Sequence, residues 1–182
     1  MLDRNEALHL IRQHIHKENL VKHMVASEAC MRKLAQELEG DPETWGMAGL
    51  LHDIDYELTA DQPEKHGIKA MDLLPCEDLS PEILQAIKSH SGHTPCASLM
   101  DKALYAVDPI TGLIVASVLM TPNKKLADLS TETVMKRYKE KRFAAGACRE
   151  QIASCTDLGL SLEEFTDHCI QAMQSVAKEV GF

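Results

Sequence analysis

The sequence predicts an all-α, single-domain helical bundle of eight or nine helices over residues 1–182. Apolar residues recur at helical spacing from end to end, and neither strand alternation nor a β-hairpin signal stands out. Aromatics are only 4% of the residues, so the core must come from Ala, Leu, Ile, Val and Met, a set that favours helix. Helix-opening signals, a capping residue followed by Pro or an acidic residue, recur between the apolar stretches.

The elements follow in order. Leu8, Ile11 and Ile15 form the stripe of a first helix; Leu20, Met24, Met31, Leu34 and Leu38 form a longer one that ends at Gly40. Asp41-Pro42-Glu43 caps a third helix, which carries Trp45, Met47, Leu50 and Leu51 and stops near His52-Asp53. Asp61-Gln62-Pro63-Glu64 resembles a capping box and predicts a helix through Ile68, Met71 and Leu74, ended by Pro75. Ser80-Pro81-Glu82 opens the next, which runs to His90 and a loop at Ser91-Gly92-His93-Thr94-Pro95. A long apolar helix is expected over residues 98–120, interrupted by Pro109. Further helices open at residues 128–133, cover residues 142–155 and start at Ser161-Leu162-Glu163-Glu164. The helices of residues 130–182 are expected to pack on the preceding part, because no Ser/Gly linker separates them.

Composition excludes several classes. With 182 residues, 45% of them hydrophobic, the chain can bury most of its apolar surface without disulfides or metal staples. A net charge of −9 argues against non-specific nucleic-acid binding, which requires a basic surface to neutralise phosphates. The start of the chain is polar, and the longest apolar stretch, residues 112–120, is about half of a bilayer span, so no membrane association is expected. The six cysteines, Cys30, Cys76, Cys96, Cys148, Cys155 and Cys169, form no CxxC pair and read as reduced thiols. A soluble, cytoplasmic protein is the expectation.

The chemistry lies in His23, His52, Asp53, His66, His90 and Asp108, all on or beside predicted helices. Imidazole and carboxylate donors without a thiolate suit one or two divalent transition-metal ions: iron, manganese, cobalt, nickel or zinc. His52 and Asp53 diverge by about 100° on a helix. At a fraying helix end both can still reach one ion, or the carboxylate can bridge two. Asp108 stands out because it sits in an otherwise apolar helix, where a carboxylate is costly to bury without a cation. His9, His14, His16 and His168 lie among polar neighbours and read as surface residues.

His23, then Ala48-Gly49-Leu50-Leu51-His52-Asp53-Ile54-Asp55, then Asp108, resembles the H…HD…D signature of the HD superfamily of metal-dependent phosphohydrolases. His66 in Glu64-Lys65-His66-Gly67-Ile68, and His90 in Ile87-Lys88-Ser89-His90, resemble the extra histidines of its two-metal branches, although only one of two tandem histidines is present at His90. The resemblance covers about residues 20–120, and Asp55 stands where many members carry Gly. It implies a bundle of the HD-domain type and hydrolysis of a small phosphorylated metabolite, a nucleotide above all, by a metal-activated water. One ion would be held by His23, His52, Asp53 and Asp108, and a second by His66, His90 and the bridging Asp53. Asp53 would act catalytically by positioning the water; Asp55, His93, Lys88 and Lys69 are candidates to handle the leaving-group proton or charge. The basic run Lys136-Arg137-Tyr138-Lys139-Glu140-Lys141-Arg142, with Lys124 and Lys125, offers substrate-binding side chains, Lys124, Lys136 and Arg142 foremost. The same donors would serve a di-iron oxygenase of this fold, and a third reading is a non-catalytic ligand-sensing module.

Overall fold

The computed structural model describes residues 2–182; Met1, where the predicted domain begins, lies outside them. The α-helices are α1 (Arg4–His14), α2 (Glu18–Glu37), α3 (Pro42–Leu51), α4 (Pro81–Ser89), α5 (Leu99–Leu119), α6 (Thr131–Lys139), α7 (Arg149–Ala153), α8 (Leu162–Ser175) and α9 (Ala177–Val180). No strand occurs among the described residues. The capping signals work locally. Asp41, Ser80 and Ser161 each accept from the backbone amide three residues on, and Ser161 completes a capping box with Glu164.

α2 lies between α3, α5 and α8, and α5 also meets α4, α6 and α7. α5 is long and apolar enough to cross a membrane by length and composition, but it is the central helix of the bundle, with Leu104, Val107, Ile110, Leu113 and Ile114 fully buried. Close helix contact sets one glycine. A Cβ at Gly49 would lie 2.7 Å from the Ser27 carbonyl oxygen, so only Gly lets α3 approach the α2 backbone this closely. Cys30, Cys155 and Cys169 are buried, and all six cysteines are free thiols.

Three elements differ from the sequence expectation. The helix expected over residues 61–74 is replaced by short 3₁₀ turns, Pro63–Lys65 and Lys69–Asp72, separated by Gly67 at φ +78. The donors and acceptors that an α-helix needs are used otherwise: the Ala70 amide donates to Asp55, and the His66 carbonyl accepts from Ser91 Oγ. A side chain at Gly67 would also strike the Ile87 carbonyl, at 2.9 Å. Second, α5 continues through Pro109. Pro109 has no N–H for the Tyr105 carbonyl, and Gln151 Nε2 donates to that oxygen instead, at 2.8 Å. Third, the helix expected over residues 142–155 begins only at Arg149. The Arg149 guanidinium collects the carbonyls of Tyr138, Phe143, Ala144 and Ala147 at 2.6–3.1 Å, holding residues 140–148 as a compact loop with Ala144 at φ +45. His168, expected at the surface, is half-buried where α8 packs on α2.

Candidate metal centre

Four helices and one turn bring the donors together. α2 supplies His23, the end of α3 supplies His52 and Asp53, the end of α4 supplies His90, and α5 supplies Asp108. His66 enters from the 3₁₀ segment at the Gly67 turn. His23 Nε2 lies 3.1 Å from His52 Nε2, 3.2 Å from Asp108 Oδ1 and 3.5 Å from Asp53 Oδ2. His52 Nε2 lies 3.8 Å from Asp108 Oδ1 and 3.5 Å from Asp53 Oδ1. On the other side, His66 Nε2 lies 3.0 Å from His90 Nε2, and these two nitrogens are 3.1 and 3.4 Å from Asp53 Oδ1. Asp53 therefore stands between two groups of donors, which resolves the divergence expected for adjacent residues.

These spacings suit a cation. Ligands 2.0–2.2 Å from one ion at right angles are about 3 Å apart. The outer contacts fix the tautomers. His52 Nδ1 donates to the Gly49 carbonyl (2.8 Å), His90 Nδ1 to the Ile87 carbonyl (2.6 Å) and His66 Nδ1 to Asp55 Oδ1 (2.9 Å). His23 Nδ1 donates to Thr111 Oγ1 (2.9 Å), whose own proton goes to the Asp108 carbonyl. With every Nδ1 carrying the proton, each neutral ring aims an Nε2 lone pair inward. Two such pairs, His23–His52 and His66–His90, face each other at hydrogen-bond distance with no hydrogen between them. A metal ion relieves that repulsion, and so does added protonation.

Electrostatics gives the same sign. Burial pushes Asp53 up, yet His52, His66, His90 and His23 together hold it well below the usual carboxylate range. Asp108 is likewise lowered, burial being outweighed by the pull of His23 and His52. Burial depresses His66, but its bonds to Asp53 and Asp55 win and raise it to about 10. His52 is raised, the pull of Asp53 overcoming burial. Without a cation, the cluster recruits protons to balance its carboxylates.

The cluster opens onto two cavities, of 340 and 460 Å³, which share Asp53, Tyr56, Asp108 and Gln151. Asp108 is not deeply buried: its side chain is 30% exposed because it faces this cleft. A larger cavity, of 730 Å³, lies away from the cluster, and its Arg4, Arg32 and Glu28 are paired with one another.

The other expected site residues fall differently. Asp55 is fully buried, with one oxygen on His66 Nδ1 and the other on the Ala70 amide (2.9 Å), so it cannot reach a leaving group. It positions His66 instead. His93 lies on the rim of the 340 Å³ cavity, its Nε2 donating to the Pro63 carbonyl at 2.8 Å. Lys69 pairs with Asp72. Lys124, Lys136 and Arg142 are exposed, and neither they nor Lys88 line the two cavities. α6 and the loop after it direct Lys136 and Arg142 outward, and the loop turns small residues, Ala144, Gly146 and Ala147, toward the cleft.

Sequence reasoning passed over Thr111, Tyr56 and Gln151. Thr111 had a signal, three residues after Asp108 on one helix face. Gln151 had none, since its partners, the Tyr105 and His90 carbonyls, are distant in sequence.

A bundle that gathers four histidines and two aspartates around a bridging carboxylate defines an all-α protein with a candidate centre for divalent metal. Residues 20–119 match the HD domain, and the chain belongs to that family. The chain is also 28% identical over 136 residues to Ribonuclease Y of Sulfurovum sp. (strain NBC37-1), covering 73% of this chain and 27% of that protein. It is 29% identical over 94 residues to Ribonuclease Y of Helicobacter hepaticus (strain ATCC 51449 / 3B1), covering 52% of this chain and 18% of that protein. The chain thus spans about a quarter or less of the length of these relatives.

Proposed function

We propose that the protein is a metal-dependent phosphohydrolase acting on a small phosphate ester, the nucleotides being the first class to try. The observation that carries this reading is Asp53, whose Oδ2 faces His23 and whose Oδ1 faces His52, His66 and His90 beside an open cleft. His23, His52, Asp53 and Asp108 would hold one ion, and His66, His90 and Asp53 a second. Bound there, such ions supply a nucleophilic water at neutral pH and neutralise charge on the phosphoryl group. Thr111, Gly49, Asp55 and Ile87 keep the four Nε2 lone pairs aimed inward, which removes the need to reorganise the ligands. His93, on the rim of the 340 Å³ cavity with Nε2 on the Pro63 carbonyl, would supply the proton to the departing oxygen from its other ring nitrogen.

The relatives are ribonucleases by name, but two features favour a small ester over RNA. Among the described residues no Lys or Arg lines the two cavities that open on the cluster, and the chain carries a net charge of −9. A polynucleotide would meet few cations along its backbone.

The test is phosphate release across nucleotides and sugar phosphates, with manganese, cobalt or iron added, in air and under nitrogen. Release under nitrogen supports the proposal. Substrate-dependent oxygen uptake without phosphate would replace it with the di-iron oxygenase reading. A metal-loaded protein with neither activity would leave the ligand-sensing module.

A further inference from the structure

A third cavity, of 460 Å³, adjoins the metal cleft and shares His23 and Gly112 with it. It runs between α2 and α5, lined by Asn19, Lys22 and Ala26 on one side and Val115 and Leu119 on the other, with residues 180–182 across its far end. Its volume lies in the range of small-molecule sites, about 300–1,000 Å³.

Gly112 joins the two spaces. It follows Asp108 by one helical turn, and Val115 and Leu119 continue the same face of α5, so a single helix edge leads from a metal donor to the apolar cavity. Glycine inside a helix is destabilising relative to alanine, and here packing does not require it. A Cβ at Gly112 would meet nothing within 4 Å, whereas at Gly49 it would meet the Ser27 backbone at 2.7 Å. The absent side chain leaves the passage open. Beyond it stands Leu119, 50% exposed, and the half-buried Val115, with few hydrogen-bonding groups besides Asn19 and Lys22.

We infer that this cavity is the subsite for the non-phosphoryl part of the substrate, and that Gly112 determines which substrates enter. The inference rests on the phosphohydrolase reading and narrows it to phosphomonoesters of alcohols with a compact apolar body, an aromatic ring above all, in preference to polyol phosphates. The phosphoryl group lies at the His/Asp cluster, and the ring extends over Gly112 to Val115 and Leu119. Asn19 and Lys22 meet any polar edge of the ring. The body is desolvated by Val115 and Leu119, so an apolar group gains affinity there and a polyol loses its water without replacement.

The experiment is isothermal titration of the manganese-loaded protein with phenylphosphonate and methylphosphonate, run beside phosphate release from phenyl phosphate and glycerol phosphate. The expected result is at least tenfold tighter binding of phenylphosphonate, and phenyl phosphate hydrolysed with the higher kcat/KM. In Gly112→Leu and in Leu119→Ser, checked for metal content and for an unchanged circular dichroism spectrum, the phenyl-to-methyl affinity ratio should fall at least fivefold. Leu119 is exposed, so its substitution tests the subsite even if Gly112→Leu fails to fold. Equal affinity for the two phosphonates, with phosphate release intact, would overturn the subsite alone. Binding of neither phosphonate together with no phosphate release would overturn the phosphohydrolase reading and the subsite with it.

Discussion

Replacing Asp55 with Asn tests whether this buried carboxylate sets the His66 ring. The change keeps the shape of the side chain and removes its charge at a position with no solvent exposure. Both partners of Asp55 are donors, His66 Nδ1 and the Ala70 amide, each at 2.9 Å. A carboxamide offers one acceptor and one donor, so it can satisfy only one of them. With its oxygen on His66, its NH2 opposes the Ala70 N–H. With its oxygen on Ala70, its NH2 meets His66 Nδ1 and drives the ring proton to Nε2, the atom 3.1 Å from Asp53. The first arrangement leaves buried donors facing each other, at a cost of about 1–3 kcal/mol. The second, once the ring proton has moved, satisfies both partners but blocks a ligand atom, and losing such an outer partner weakens metal binding about 10–100-fold. Competition with a chelator of known affinity should show ion binding on the His66–His90 side weakened by that factor, with binding at His23, His52 and Asp108 nearly unchanged. Urea unfolding should lose about 1–3 kcal/mol if the Asn oxygen turns to His66 and its NH2 to Ala70. A folded variant that binds both ions as the wild type does would refute the assignment, and so would equal weakening at both.

Asp53→Ala removes the carboxylate that faces both donor groups, so metal content and hydrolysis should disappear together; elemental analysis showing full metal loading would contradict this. Gly49→Ala places a Cβ 2.7 Å from the Ser27 carbonyl. It should cost about 1–3 kcal/mol by overpacking and weaken metal binding through His52, measured by thermal melting and metal content. The chelator-treated protein should lose stability as pH rises from about 6.5 to about 10: His66 has a folded pKa raised above its ordinary 6.5, so its contribution is complete below 6.5 and lost through about 10. Asp53 and Asp108 are lowered, so their contribution is present above about 3.8 and lost on further acidification; urea midpoints from pH 3 to 10 test both limbs. Lys136→Ala and Arg142→Ala should leave KM within about twofold of wild type, because neither side chain lines the cleft; a tenfold rise would restore them as a phosphate clamp.

How far the sequence could be read depended on whether a signal was local. Asp41, Ser80 and Ser161 act on amides three residues away, so their pattern alone predicts the helix starts. Asp61-Gln62-Pro63-Glu64 carries the same pattern and no α-helix follows, because Asp55 and Ser91 compete for the backbone groups of residues 66–70. Among the donors, His23, His52, Asp53 and Asp108 could be singled out from residue type and motif. The function of Asp55 could not, since a carboxylate two residues from Asp53 reads equally well as a proton carrier until both its oxygens are seen to be occupied. The cleft wall was the least legible part. A basic run suggests a phosphate site, yet Arg149 folds the loop so that alanines and a glycine face the cleft and Lys136 and Arg142 face outward.

The bond from Gln151 to the Tyr105 carbonyl bears on how such a protein can diversify. Pro109 leaves that carbonyl free in the middle of α5, and a side chain from outside the matched region, residues 20–119, occupies it. All six candidate donors lie between residues 23 and 108, whereas the wall at Ala144, Gly146, Ala147 and Gln151 belongs to the segment latched on at that point. The candidate donors and this part of the cleft wall are thus carried by different stretches of one chain, joined at a gap in a helix. Substitutions in the latched stretch can reshape the cleft wall at Ala144, Gly146 and Ala147 while every candidate donor stays where it is, so the two can vary independently.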